Sequence, residues 1–122
     1  MFIALLIVLS FQIINAQEKD EINLITSGKW YIEYMEMSGK KMALSPEIQK
    51  NNWVIFHKDG KQEGMEEGRK YVGKWKFDKK NRILKTNDLD GKSEQRLISV
   101  SKRKLVISVK EKGVEIFMGM RK

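Results

Sequence analysis

Between residues 28 and 121 this chain divides into eight short segments in which apolar and polar residues alternate, each closed by a turn signal. Alternation at a period of two marks a strand with one face against a core. Consecutive strands of this kind, joined by tight turns, make an up-and-down sheet, and closure is what rids such a sheet of its exposed edges. The expected fold class is therefore all-β: an eight-stranded antiparallel up-and-down barrel with a short helix between the first two strands. A barrel of that size holds either its own side chains or one small ligand.

The predicted strands cover 28–37, 52–58, 61–66, 69–77, 82–87, 93–100, 104–110 and 114–121. Their connections carry the residues that reversals need: Asp59-Gly60, Asp78-Lys79-Lys80-Asn81, Asp88-Leu89-Asp90-Gly91, Ser101-Lys102-Arg103 and Glu111-Lys112-Gly113. The segment 61–66 is rich in glycine and polar residues and alternates least. Ser45-Pro46-Glu47 sets a capping residue before a proline at the first helical position, which predicts a short helix over 45–51. That proline is the only one in the chain, and it falls outside every predicted strand.

Residues 1–16, MFIALLIVLSFQIINA, hold no charge and are nearly all apolar. They are fewer than the roughly 20 residues a membrane-crossing helix needs. They end on Ile14-Asn15-Ala16, a small residue where signal peptidase cuts. We read them as a cleaved export signal, followed by a lead-in over 17–27 and the barrel domain over 28–122. The protein is expected to work outside the cytoplasm, periplasmic or secreted. The chain has no cysteine, so neither a lipid-modified N-terminus nor a disulfide is available. Stability must then come from closure of the sheet and from its core.

Gly28-Lys29-Trp30 opens the first strand and Arg121 ends the last, with the eight-strand rhythm between them. On these features the chain resembles the lipocalins, specifically the short lipocalin-like domains of exported bacterial proteins, with their calycin-like barrel. The resemblance implies that Gly28, Trp30 and Arg121 close the barrel, the arginine packing across the tryptophan in a contact worth about 0.5–2 kcal/mol. The chain departs from the family in its short length, its lack of disulfide cysteines and the missing long helix after the last strand. Parity also leaves the arginine's role open. An inward Arg121 brings Phe117 and Gly119 inward and turns Val114, Ile116, Met118 and Met120 outward, unless a bulge shifts the alternation.

Side chains alternate along a strand, so an inward Trp30 brings Ile32 and Tyr34 inward with it. The same reasoning turns inward Trp53, Ile55 and His57, then Tyr71, Gly73, Trp75 and Phe77, then Leu105, Ile107 and Val109. The candidate lumen residues are Tyr34, Trp53, Ile55, Tyr71, Gly73, Trp75, Val109 and Val114. A cup with aromatic walls and a few hydroxyl groups suits a small hydrophobic or amphipathic molecule. The methionines, among them Met35, Met37, Met42 and Met118, either give such a cup an adaptable lining or fill ordinary space.

The chain carries 24 basic and 16 acidic residues, a net charge of +8. Up-and-down connectivity sends alternate turns to opposite ends. Lys58, Lys61, Lys79, Lys80, Arg82, Lys102, Arg103 and Lys104 therefore gather at the closed end, and the mouth is roughly neutral. Such an end either keeps a small protein soluble or draws it to an anionic envelope surface. Export and the strand count disfavour nucleic acid as a partner. His57 is the one histidine, so neither a nucleophile–His–acid triad nor a zinc cluster is supplied, and no enzyme activity, metal or cofactor is expected. Two functions stand. One is an exported barrel that binds a small hydrophobic or amphipathic ligand in its lumen. The other is a solid barrel acting as an envelope-associated interaction module through its basic end and loops. Either is expected to be a monomer.

Overall fold

Nine antiparallel strands form one sheet in the computed structural model, which describes residues 21–122; the leader expected over 1–16 lies outside them. They are β1 (Lys29–Met37), β2 (Lys40–Ala43), β3 (Trp53–Phe56), β4 (Lys61–Glu66), β5 (Arg69–Asp78), β6 (Ile83–Asp88), β7 (Gly91–Val100), β8 (Lys104–Glu111) and β9 (Val114–Arg121). Neighbours in sequence pair in register from β3 to β9. The sheet closes because β1 also pairs with β9, Tyr31 opposite Arg121 and Met37 opposite Ile116. The result is a closed eight-stranded antiparallel barrel, as the alternation predicts.

The additional strand is β2. Ser38 and Gly39 both take positive φ, 51° and 77°, which makes the tight reversal that folds the chain back along the end of β1. β2 pairs with Tyr34–Met37 and β3 with Lys29–Tyr31, so the two share one edge of β1 as a single broken wall strand. The helix Pro46–Lys50 occupies the break. Its start is set locally: the Ser45 hydroxyl accepts the Ile48 N–H at 3.3 Å, and Pro46 stands where no donor is required. Gln49, 8% exposed, ties the helix down by donating to the Leu44 carbonyl at 2.8 Å and accepting from Arg121 Nε at 2.9 Å.

The core fills the closed half of the barrel. Trp30, Phe56, Leu84, Leu105 and Ile107 are essentially fully buried, joined by Val54, Trp75, Leu97 and Met120. Phe56 and Trp75 meet edge to face at 5.1 Å. Residues 21–25 are helical and lie across the floor, where Ile25 is fully buried and its carbonyl accepts the Trp30 indole N–H at 2.9 Å. The Trp75 indole likewise donates to the His57 carbonyl at 2.7 Å. Both large aromatics thus enter the core with their one polar atom satisfied.

Register corrects three of the expected lumen residues. Trp30 lies directly opposite Val54, and directly opposed residues share a face. Val54 and Phe56 therefore point inward, and Trp53, Ile55 and His57 point outward. Trp-Val-Ile-Phe is apolar at every position, so alternation carries no parity signal there. The outer Trp53 ring is covered by the Lys29 ammonium, 4.1 Å from its centroid. Tyr34 is turned out by a bulge between Ile32 and Tyr34, which inserts one residue and makes Met35 and Met37 the next inward pair. Its ring lies across Gly119 on the outer face, under the Lys41 ammonium at 3.9 Å.

The arginine expected across Trp30 is also elsewhere. Arg121 faces out opposite Tyr31, its guanidinium 5.1 Å from that ring, which leaves the β9 alternation unbroken and Val114, Ile116, Met118 and Met120 inward. The cation over Trp30 is Lys122, 4.8 Å from the ring centroid.

Candidate binding site in the barrel lumen

Above the packed floor, the inward positions divide into an apolar and a polar wall. β2, β1 and β9 contribute Met42, Met35, Met37, Ile116 and Val114. Met35 lies opposite both Met42 and Met118, and Met37 lies opposite Ile116. Three of these side chains stay open at the mouth, Met37 at 42%, Met42 at 59% and Val114 at 39% exposure. Large apolar groups exposed together around one opening are unusual for a small soluble domain.

Across the barrel, β4 to β7 supply a polar wall. Gln62 faces in opposite Gly73, Tyr71 opposite Gly64, Thr86 opposite Trp75, and Ser93 opposite Thr86. Gly64 makes room for Tyr71, since a Cβ there would fall inside the ring. The Tyr71 hydroxyl accepts from Gln62 Nε2 at 3.2 Å. Gln62 and Thr86 are 3% and 4% exposed, yet Gln62 Oε1 and Thr86 Oγ1 have no hydrogen-bond partner among the described residues. Leaving a buried polar atom unmatched costs about 1–3 kcal/mol. Both atoms flank β5 on the lumen side.

Carboxylates edge this wall at the mouth. Desolvation pushes the Glu66 carboxyl above its ordinary range, and the charges of Asp90 and Asp88 push the same way. Desolvation also raises the Tyr71 phenol, with a smaller contribution from Asp88, Glu66 and Asp90 and opposition from the Gln62 hydrogen bond. Glu66, Asp88 and Asp90 thus lie close enough together on this edge for their charges to act on Glu66 and Tyr71. Among the described residues no three His, Asp or Glu side chains converge as a metal site.

Of the residues expected in the lumen, Tyr71, Gly73, Trp75, Val109 and Val114 face it; Tyr34, Trp53 and Ile55 do not. Trp75 belongs to the floor core, and Gly73 serves the backbone: a Cβ there would run into the Asn87 carbonyl oxygen of β6. Gln62, Thr86, Glu66 and Asp88 escape a reading by strand alternation alone, because β4 and β6 carry too few apolar residues to announce a face; Met35, Met37 and Met42, weighed from the sequence as an adaptable lining or as ordinary filling, are turned inward by the Ile32–Tyr34 bulge and the β2 pairing. Pairing β4 and β6 against the clear alternation of β5 would have turned Gln62, Gly64, Leu84 and Thr86 inward.

The basic residues expected at the closed end are largely exposed there, with three of them in ion pairs. Arg82 bonds Glu21 at 2.5 Å, Lys104 bonds Glu33 at 2.9 Å, and Lys61 lies 3.5 Å from Glu63. His57 meets the other Glu63 oxygen at 2.7 Å on the outer face. That contact first, then the Lys61 charge, holds the Glu63 carboxyl below its ordinary range. His57 is occupied with a structural partner.

No family model matches the sequence, and no curated protein matches it. Among solved structures, that of a lipocalin-like protein from Bacteroides uniformis ATCC 8492 matches with a TM-score of 0.60 at 14% identity, covering 80% of this chain and 98% of that one. The fold is lipocalin-like. At this identity the likeness is one of architecture alone.

Proposed function

We propose that this barrel binds a small amphipathic molecule in the open half of its lumen and does no chemistry on it. The observation that carries the reading is the opposition of two unlike walls. An apolar strip of Met35, Met37, Met42, Ile116 and Val114 faces Gln62, Tyr71 and Thr86, two of which hold buried, unmatched oxygens. A ligand with a hydrocarbon portion and a hydroxyl, amide or amine head satisfies both walls at once. Each methylene it buries contributes about 0.8 kcal/mol, and thioether side chains adapt to irregular chains. The apolar leader of residues 1–16 supports a role outside the cytoplasm.

The test is titration calorimetry of residues 17–122 with 1-decanol, a neutral probe that bears both portions. Saturable one-to-one binding is expected. The double variant Met37→Ser/Val114→Ser should weaken it by about tenfold or more, the loss expected when two apolar contacts are removed. Val72→Ser, an exposed apolar residue on the outer wall, should leave it unchanged. Equal weakening by both variants, or no saturable heat, would refute the lumen as the site.

A further inference from the structure

The outer wall of β5, β6 and β7 carries a second feature. A cleft of about 860 Å³ is lined by the Asp59–Lys61 turn, by outward side chains of these strands, and by Gly73, Trp75, Thr86 and Ser93 between them. It exists because β4 begins at Lys61, opposite Lys74, while β5 continues to Asp78; the turn then folds back so that the Gly60 carbonyl accepts the Trp75 N–H at 2.9 Å. Its size matches that of sites for discrete small molecules.

Its charge is one-sided. Lys61 stands directly opposite Lys74, and Lys76 directly opposite Lys85, while Lys92 lies on the far side of Asn87 from Lys74. Like charges facing each other across strands are destabilising, so this arrangement works against the fold. The acids in reach are few. Asp59 has a carboxylate oxygen taken by the Lys61 N–H at 3.0 Å, Glu63 is shared between His57 and Lys61, Glu94 stands opposite Lys85, and Asp78 is held mainly by Asn81, with a smaller pull from the Lys85 charge. Lys74, Lys76, Lys85 and Lys92 have no ion-pair partner among the described residues.

We infer that this lysine-lined cleft binds a small anion bearing two or more phosphate groups. Strand spacing sets the lysine positions on a grid of about 4.8 by 7 Å, so four ammonium groups bracket adjacent phosphates, where a single carboxylate engages only one pair. The concave shape selects a discrete group over a flat surface. Single-stranded nucleic acid is disfavoured because Trp75, the one aromatic residue in the lining, is 8% exposed and packed against Phe56, which leaves no ring free to stack a base. A free polyphosphorylated solute and a lipid headgroup carrying phosphates share this chemistry.

The test titrates residues 17–122 with inorganic tripolyphosphate in low salt. Two double variants that remove equal charge are compared: Lys76→Gln/Lys85→Gln in the cleft and Lys102→Gln/Arg103→Gln at an exposed tip of the closed end. The cleft pair should weaken binding by about tenfold or more and the tip pair by less than about twofold, since charge-assisted contacts are lost only in the first. Thermal unfolding should also shift upward with the anion for the wild type and much less for the cleft pair. Vesicles of cardiolipin, whose headgroup carries two phosphates, with and without tripolyphosphate as competitor, assign the source: displacement from vesicles supports a headgroup, and binding of the free anion alone supports a solute. Equal losses in the two variants, or no saturable binding of either probe, would overturn the inference.

Discussion

The Lys122 ammonium sits 4.8 Å above the Trp30 ring, while the neighbouring Arg121 turns to the opposite face and holds Gln49 of the helix. Consecutive residues on a strand face opposite ways, so an outward Arg121 delivers Lys122 to the floor. Closure of this barrel is thus divided between two cations, one over the tryptophan and one anchoring the helix in the broken wall.

Lys122 also bonds the Ser27 hydroxyl, and burial pulls its pKa below the ordinary lysine range. The ring contact is therefore set against a desolvation cost, and its net effect is small. Lys122→Ala is expected to lower stability by about 0.5–1 kcal/mol, with Lys122→Arg restoring most of it. Urea denaturation of the three proteins checks this.

Trp30 should matter far more. Trp30→Ala removes the largest fully buried side chain and strands the Ile25 carbonyl, for an expected loss of about 3–5 kcal/mol. In a domain of this size such a loss approaches the whole folding free energy. A folded Trp30→Ala variant with a near wild-type denaturation midpoint would contradict the floor described above.

Two inward glycines are required for different reasons, and a double-mutant cycle separates them. Gly64→Ala collides with the Tyr71 ring, so adding Tyr71→Ala should recover much of its cost. Gly73→Ala collides with the Asn87 backbone carbonyl, which no side-chain truncation can relieve. Its cost of about 1–3 kcal/mol should persist in the Tyr71→Ala background.

The carboxylates around Glu66 give a pH signature. Glu66 has its folded-state pKa raised above 4.5, so the folded protein binds its proton more tightly than the unfolded chain does. Its contribution to stability is full below the unfolded pKa and is lost as pH rises through the folded value. Glu66→Gln should therefore match the wild type below about pH 4 and be the more stable protein at neutral pH. Thermal melts across this range decide it.

Architecture was legible where alternation was clean. β5 and β8 show it, with Tyr71, Trp75 and Phe77 and then Leu105 and Ile107 all on the lumen side, and Ser45-Pro46 marks the helix start within a residue. Parity was illegible where a strand is apolar on both faces, as in Trp53–Phe56, or where a bulge shifts the count, as between Ile32 and Tyr34. The polar wall was hidden for a third reason. Gln62 and Thr86 have no sequence signature of burial, because their placement depends on pairing with β5 and not on their own chemistry. The hairpin into β2 was available in Ser38-Gly39 but lay within a connection that the proline dominates.

The lumen account is tested most directly by following backbone amide shifts of the labelled 17–122 protein as 1-decanol is added. Saturable shifts should concentrate at Met37, Met42, Gln62, Thr86 and Ile116, on both inner walls and above the floor. Shifts confined to outer-face residues such as Val72 and Ile98, or none at all, would contradict it.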